Sequence, residues 1–281
     1  MAIDILEAFT KEPPPLDFVW PGFVAGTVAC LAAAGSTGKS FLAIEAAMGV
    51  ASKVADETLL GLGIKKYGKA VILNAEDPEA VIVRRLHAIG AHLDDSTRKE
   101  VAENLIIEPL MGKGCNIQDK RWLDAVMRIA TGARLVILDT FSRWHRGKEN
   151  DNGEMATVLS LLEQVASETG ASVLFLHHVS KGMALDGRQD EQQATRGAAA
   201  ITDNARWQGF MQTMTLEAAK AFGIDPELRK SYVIFGGNKE NYGQPSTDMW
   251  LRRHEGGVLL PTMLEPINKS EIGGRRNASK D

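Results

Sequence analysis

A strong excess of either charge, closely spaced cysteines and membrane-length apolar stretches are all missing from this chain of 281 residues. The formal net charge is −4, so there is no overall basic field of the kind that coats nucleic acid, and only a local basic channel could serve that purpose. The two cysteines, Cys30 and Cys115, lie far apart and outside any C-x-x-C spacing. They read as reduced, partly buried thiols, with neither a disulfide framework nor a metal knuckle. No window reaches the ~20 apolar residues of a membrane-spanning helix. The first residues, MAIDILEAFTKEPPP, have neither the basic start nor the apolar stretch of a signal peptide. A cytoplasmic protein with no membrane partner is expected. What is present suits a globular fold: 44% hydrophobic and 24% charged residues can bury a sizeable core in one large α/β domain or two small ones.

Along the chain, residues 1–24 read as an arm. Pro13, Pro14 and Pro15 force an extended backbone, Pro21-Gly22 marks a turn, and Ile3, Leu6 and Phe9 recur at helical spacing. The arm could pack on its own domain or at a subunit contact. From residue 25 to 262, strands and helices alternate. Strands are predicted at 27–33, 69–74, 105–108, 135–139 and 172–177, and helices at 39–52, 79–89, 121–129 and 153–168. Continuous Val/Ile/Leu strands between helices imply a mostly parallel central sheet with helices on both faces. Four further strands at 205–214, 232–236, 249–253 and 258–260 suggest an antiparallel C-terminal extension. Residues 180–195 are polar and aperiodic and read as a long loop, and 263–281 as a flexible tail.

The chemistry begins at A-x-x-x-x-G-K-S, residues 33–40. Gly35 and Gly38 would let the backbone curl so that its N–H groups face a phosphate. Lys39 would reach the β and γ phosphates of ATP, and Ser40 would hold Mg2+. Ser36, Thr37 and Phe41 complete the expected nucleotide contacts, which sit at a helix N-terminus. Asp139 ends the apolar run LVILD, where a carboxylate points into the crevice beyond a parallel strand, the place for a second metal-side residue. Glu76 follows the strand KAVILN and is the candidate base that polarises the attacking water, while Asp77 reads as the cap of the following helix. Of His177 and His178, adjacent in a strand and so on opposite faces, His178 is the candidate γ-phosphate sensor and His177 a structural histidine. Cationic stabilisers of the transition state are also needed, with Arg85, Arg196, Arg206 and Lys239 as candidates.

With these elements in order, the chain resembles the RecA-type hexameric helicases of the DnaB-like superfamily, and among them the RepA replicative helicases of small broad-host-range plasmids. The segments that carry the resemblance are ILEAF with PPPLDFV, AGTV, NAEDP, RLHAIGAHL, LVILDT, FLHHVSKG, QQATRGAAAITDNARWQ and NKENYG. It implies a RecA-like P-loop domain, an ATP-hydrolysing homo-hexamer and single-stranded DNA in the ring channel. A plasmid initiator and a primase encoded elsewhere are expected as partners. It places Lys39 and Ser40 as the phosphate-loop pair, Asp139 on the metal side, Glu76 as catalytic base and His178 as sensor. It makes Arg206 the arginine finger of the neighbouring site. Arg85 is a second basic group near the nucleotide. Lys239 falls on a Lys-x-Arg pair whose second member here is Asn241. Lys181, Arg188 and Arg196 flank the loop 180–195 and are the expected DNA contacts. Two other readings stay open: a RecA-like mediator or regulator without unwinding activity, and a monomeric small-molecule kinase.

Overall fold

The computed structural model describes residues 2–149, 151–179, 205–242 and 248–267. A short helix α1 (Ile5–Thr10) and an extended Pro-rich stretch lead to a hairpin, β1 (Phe18–Trp20) and β2 (Phe23–Val24). The main body then alternates β3 (Val28–Ala33), α2 (Lys39–Ala51), α3 (Lys53–Thr58), β4 (Ala70–Asn74), α4 (Glu79–Gly90), α5 (Asp95–Asn104) and β5 (Leu105–Pro109). It continues with α6 (Lys120–Ala130), β6 (Leu135–Asp139), α7 (Asn152–Thr169), β7 (Ser172–His178), β8 (Trp207–Thr213) and α8 (Leu216–Ala221). Three last strands follow: β9 (Tyr232–Glu240), β10 (Met249–Arg253) and β11 (Leu259–Pro261). Nine strands form one sheet in the order β11-β10-β9-β8-β3-β7-β6-β4-β5. Neighbours from β8 to β5 pair in parallel and those from β8 to β11 antiparallel. This is the RecA-like α/β arrangement expected from the sequence.

The period-2 alternation of side chains divides each central strand between two cores. Ala29, Leu31 and Ala33 of β3, with Leu135 and Ile137 of β6, face Leu42 and Ala46 of α2, Ile89 of α4 and Val101 of α5. Val28, Cys30 and Ala32, with Val136 and Leu138, face Val126 of α6 and Val158 and Leu162 of α7 on the opposite side. Burial on both faces explains why these strands read as unbroken apolar runs. Among the described residues, no helix is long and apolar enough to cross a membrane.

Several boundaries differ from expectation. The segment predicted to lie outside the core as an arm, residues 1–24, divides in two. Val19, Trp20 and Phe23 are buried in the chain's own core, where Trp20, Phe23 and Trp207 pack ring against ring at 5.0–5.8 Å. Only α1 and the Pro-rich stretch remain outside; Ile5, Leu6 and Phe9 are exposed. The helix predicted at 39–52 stops at Ser52, whose extended backbone and hydroxyl cap start α3. Helix α5 escaped notice because its composition is polar and it buries only Thr97 and Val101. The loop 180–195 lies outside the described residues, as does 268–281 of the expected tail; Ile267, before it, donates its N–H to Ala221.

Candidate nucleotide site

All the parallel strands run toward one edge, and the predicted site residues collect there. Register pairs Ala33 with His178 and Asn74 with Asp139 at the strand ends. The phosphate loop joins β3 to α2. Its left-handed residues are Ser36, at φ 67°, and Gly38, at φ 109°. Gly35, credited above with part of the curl, has no positive φ, and a Cβ there would meet no atom. Gly38 is the N-cap of α2 and has no side chain to cap it, so the helix end keeps N–H groups for an anion. A side chain at Gly38 would press on the Arg253 guanidinium at 3.2 Å. Thr37 turns inward and donates its hydroxyl to the Ala34 carbonyl at 2.8 Å.

Lys39 is buried. Its ammonium donates to the carbonyls of Ala33 (2.8 Å) and Ala34 (3.2 Å) and to His178 Nδ1 (3.1 Å). Burial lowers its pKa to about 8, against the opposing pull of Asp139 and Glu76. Lysine can only donate, so His178 Nδ1 must accept and the ring proton belongs on Nε2, which lies 3.3 Å from Glu76 Oε2. Lys39, His178 and Glu76 thus form one chain of contacts. Asp139 is 3% exposed. Burial raises its pKa to about 6; a hydrogen bond with the Ser40 hydroxyl opposes this, while the charges of Glu76 and Asp77 add to it. Ser40 and Asp139 offer hard oxygen donors of the kind Mg2+ takes, and the open helix end beside them suits a triphosphate. Among the described residues no cluster of three His, Cys, Asp or Glu forms a separate metal site.

The predicted cap on α4 is corrected. Its N-cap is Pro78 and makes no side-chain bond. The Asp77 carboxylate instead accepts from Arg85 Nη1 at 2.6 Å, and the Arg85 guanidinium lies 5.5 Å over the Phe41 ring. A cleft of about 940 Å3 opens beside this pair, lined also by Val83, His92, His254 and Gly256. His177 is buried against Phe141, and burial, aided by neighbouring positive charges, lowers its pKa to about 4, as a structural histidine requires.

Arg206 and Lys239 are not brought to this edge. Arg206 donates its backbone N–H to Val28, at the far end of β3, and Lys239 pairs in register with Gln208, itself opposite Cys30. At ~3.3 Å per residue, Arg206 is roughly 17 Å and Lys239 roughly 10 Å along the strand from Ala33. Lys181, Arg188 and Arg196 lie outside the described residues. Sequence reasoning missed Arg253, which comes from β10 to donate to the Thr37 carbonyl at 2.8 Å, and Glu45 behind it, whose carboxylate accepts the Leu259 N–H at 2.9 Å. It also passed over Asn74. A buried polar residue ending an apolar run was the available signal for Asn74; no local signal exists for a contact across more than two hundred residues.

Solved structures share this fold. One, described as an ATPase domain, superposes with a TM-score of 0.57 at 13% identity, over 84% of this chain and 85% of that one. A DnaB-like replicative helicase, described with its interactions with primase, gives 0.63 at 15%, over 91% of this chain and 66% of that longer one. The RadB recombinase gives 0.52 at 14%, over 85% and 91%. A family model described as an AAA domain matches residues 3–184, which span the phosphate loop, Glu76, Asp139 and His178. On this match over most of its length, the chain belongs to the AAA-domain family.

Proposed function

We propose that the chain is the subunit of an ATP-driven replicative DNA helicase of the plasmid type, a homo-hexamer moving on single-stranded DNA. One observation carries the reading. The strand ends gather the phosphate loop, Asp139, Glu76 and His178, whereas Arg206 lies at the opposite end of the sheet and Lys239 lies back from this edge, level with Cys30. In this reading those cations complete the site of a neighbouring subunit, so hydrolysis needs an assembly.

In this scheme the loop N–H groups, Lys39 and the Phe41–Arg85 side of the cleft bind and orient ATP between subunits. Ser40 and Asp139 would hold Mg2+, which would supply charge neutralisation at the phosphates. Glu76 takes a proton from the attacking water as a P–O bond forms and the bond to the bridging oxygen of ADP breaks. Arg206 of the next subunit stabilises the spreading charge. His178 exchanges its contact with Lys39 for the γ phosphate and reports the nucleotide state to residues 180–195, at and beside which Lys181, Arg188 and Arg196 would meet DNA phosphates. The exposed apolar face of α1 would dock on an adjacent subunit. An apolar groove between α4 and α5, lined by Leu86, Leu93, Val101 and Leu105, is a suitable receiver. A plasmid initiator and a primase would act with the ring.

The test is ATPase activity with and without single-stranded DNA, beside the mass of the assembly by light scattering. Lys39→Ala and Arg206→Ala proteins should each be inactive, and mixing them should restore part of the activity, because a mixed ring contains some intact sites. A monomer with full ATPase activity overturns the reading. The likeness to RadB favours a second reading, a recombination mediator. DNA-stimulated ATPase without strand displacement on a forked duplex would select it.

A further inference from the structure

We infer that Asn74 is a positioning residue for hydrolysis, tying the metal-side carboxylate to the loop that carries the water-activating base. The inference rests on the ATPase reading above. Asn74 is the last residue of β4 and is 1% exposed. Asparagine is disfavoured in strands and costly to bury unless its amide is satisfied. Here the amide is used at both ends. Nδ2 donates to Asp139 Oδ2 at 2.9 Å. Oδ1 accepts the N–H of Glu76 at 3.2 Å and of Asp77 at 2.8 Å. The orientation is forced: two N–H groups require the oxygen and a carboxylate requires the NH2.

The surroundings hold this group rigidly. Asn74 and Asp139 are register partners on adjacent parallel strands. The Ala75 N–H donates to the Asp139 carbonyl at 2.6 Å, and the Asn74 carbonyl accepts from Leu110 at 2.6 Å. The chain must leave β4 and turn back over β6 so that Glu76 reaches His178 on β7. The Asn74 side chain makes that turn, in the manner of an Asx turn, and references it to Asp139. Ser40 and Asp139 are therefore referenced to Glu76 through a buried amide that adds to the Ala75–Asp139 backbone bond. Asn74 touches neither water nor nucleotide in this scheme; it acts by setting Glu76 in place against Asp139.

The experiment is a double-mutant cycle on the full-length assembly. Asn74→Leu keeps the branching of the side chain and removes the amide. It should lower kcat for ATP about 10- to 100-fold, the scale of a small misplacement of a catalytic group, with KM within about threefold because the phosphate loop is untouched. Asn74→Ser keeps an acceptor for the turn, disturbs packing less, and should lose about three- to tenfold. Introduced into Glu76→Gln, either change should cost less than about twofold more, since a residue acting through Glu76 loses its effect once Glu76 is gone. Loss of the same factor with and without Glu76, or unchanged kcat in both variants, overturns the proposal while leaving the ATPase reading intact. A wild-type protein that hydrolyses no nucleoside triphosphate overturns that reading and this proposal with it.

Discussion

The buried ammonium of Lys39 makes nucleotide affinity sensitive to pH on the alkaline side. In the empty protein, burial holds its pKa at about 8. A bound triphosphate favours the charged form, so affinity is full below that value and falls as pH rises through it. At about pH 9.5 roughly one molecule in thirty keeps the proton, and affinity for ATP should fall about 30-fold, or about 2 kcal/mol at 1.36 kcal/mol per pH unit. The assay is a fluorescent-nucleotide titration at constant ionic strength from about pH 7 to about pH 9.5. Lys39→Arg supplies the control, because a guanidinium does not deprotonate in this range and its profile should be flat. The same shift has a consequence for the fold. Between about 8 and the ordinary 10.5 the unfolded chain binds more protons than the folded one, so this group adds stability to the empty protein as pH rises. Equal nucleotide affinity at both ends of the pH range in wild-type protein would refute the placement of a desolvated ammonium at the phosphate site.

Two further outcomes are expected. Phe23→Ala should destabilise the domain by about 3–5 kcal/mol in urea unfolding, because Phe23 is fully buried and stacked on Trp207; a loss below about 1 kcal/mol would return the hairpin to the arm. Arg253→Met keeps apolar packing but removes the donor to Thr37 and strips Glu45 of its neighbouring cation. KM for ATP should rise several-fold and stability should fall by about 1.5–3 kcal/mol, the scale of a hydrogen bond from a charged group, as read by steady-state kinetics and thermal melts.

The sequence alone determined the features that repeat locally or occupy consecutive positions. Residues 33–40 carry their own turn and helix start, so Lys39 and Ser40 could be placed without any knowledge of the rest. The runs KAVILN, LVILD and SVLFLH announced buried parallel strands, and a parallel sheet brings their C-terminal ends together. The convergence of Glu76, Asp139 and His178 followed from that rule. Only the tertiary structure decided what depends on distant partners. Asp77 could equally cap a helix or pair with a cation, and the packing of α4 brought Arg85, eight residues on, against it. Trp20 and Phe23 sit between Pro-rich and Pro-Gly segments that look like an arm, and only the Trp207 ring from the other half of the chain draws them inside. Arg206 and Lys239 were named as cations of an ATP site, but their place back from the strand ends depends on the direction of β8 and β9. Lys39 looked like a simple phosphate contact; its lowered pKa arises from burial between strands joined long after it in the chain. Short-range periodicity and turn chemistry are written in neighbouring residues, whereas burial, pairing and pKa belong to whichever distant groups the fold sets beside them.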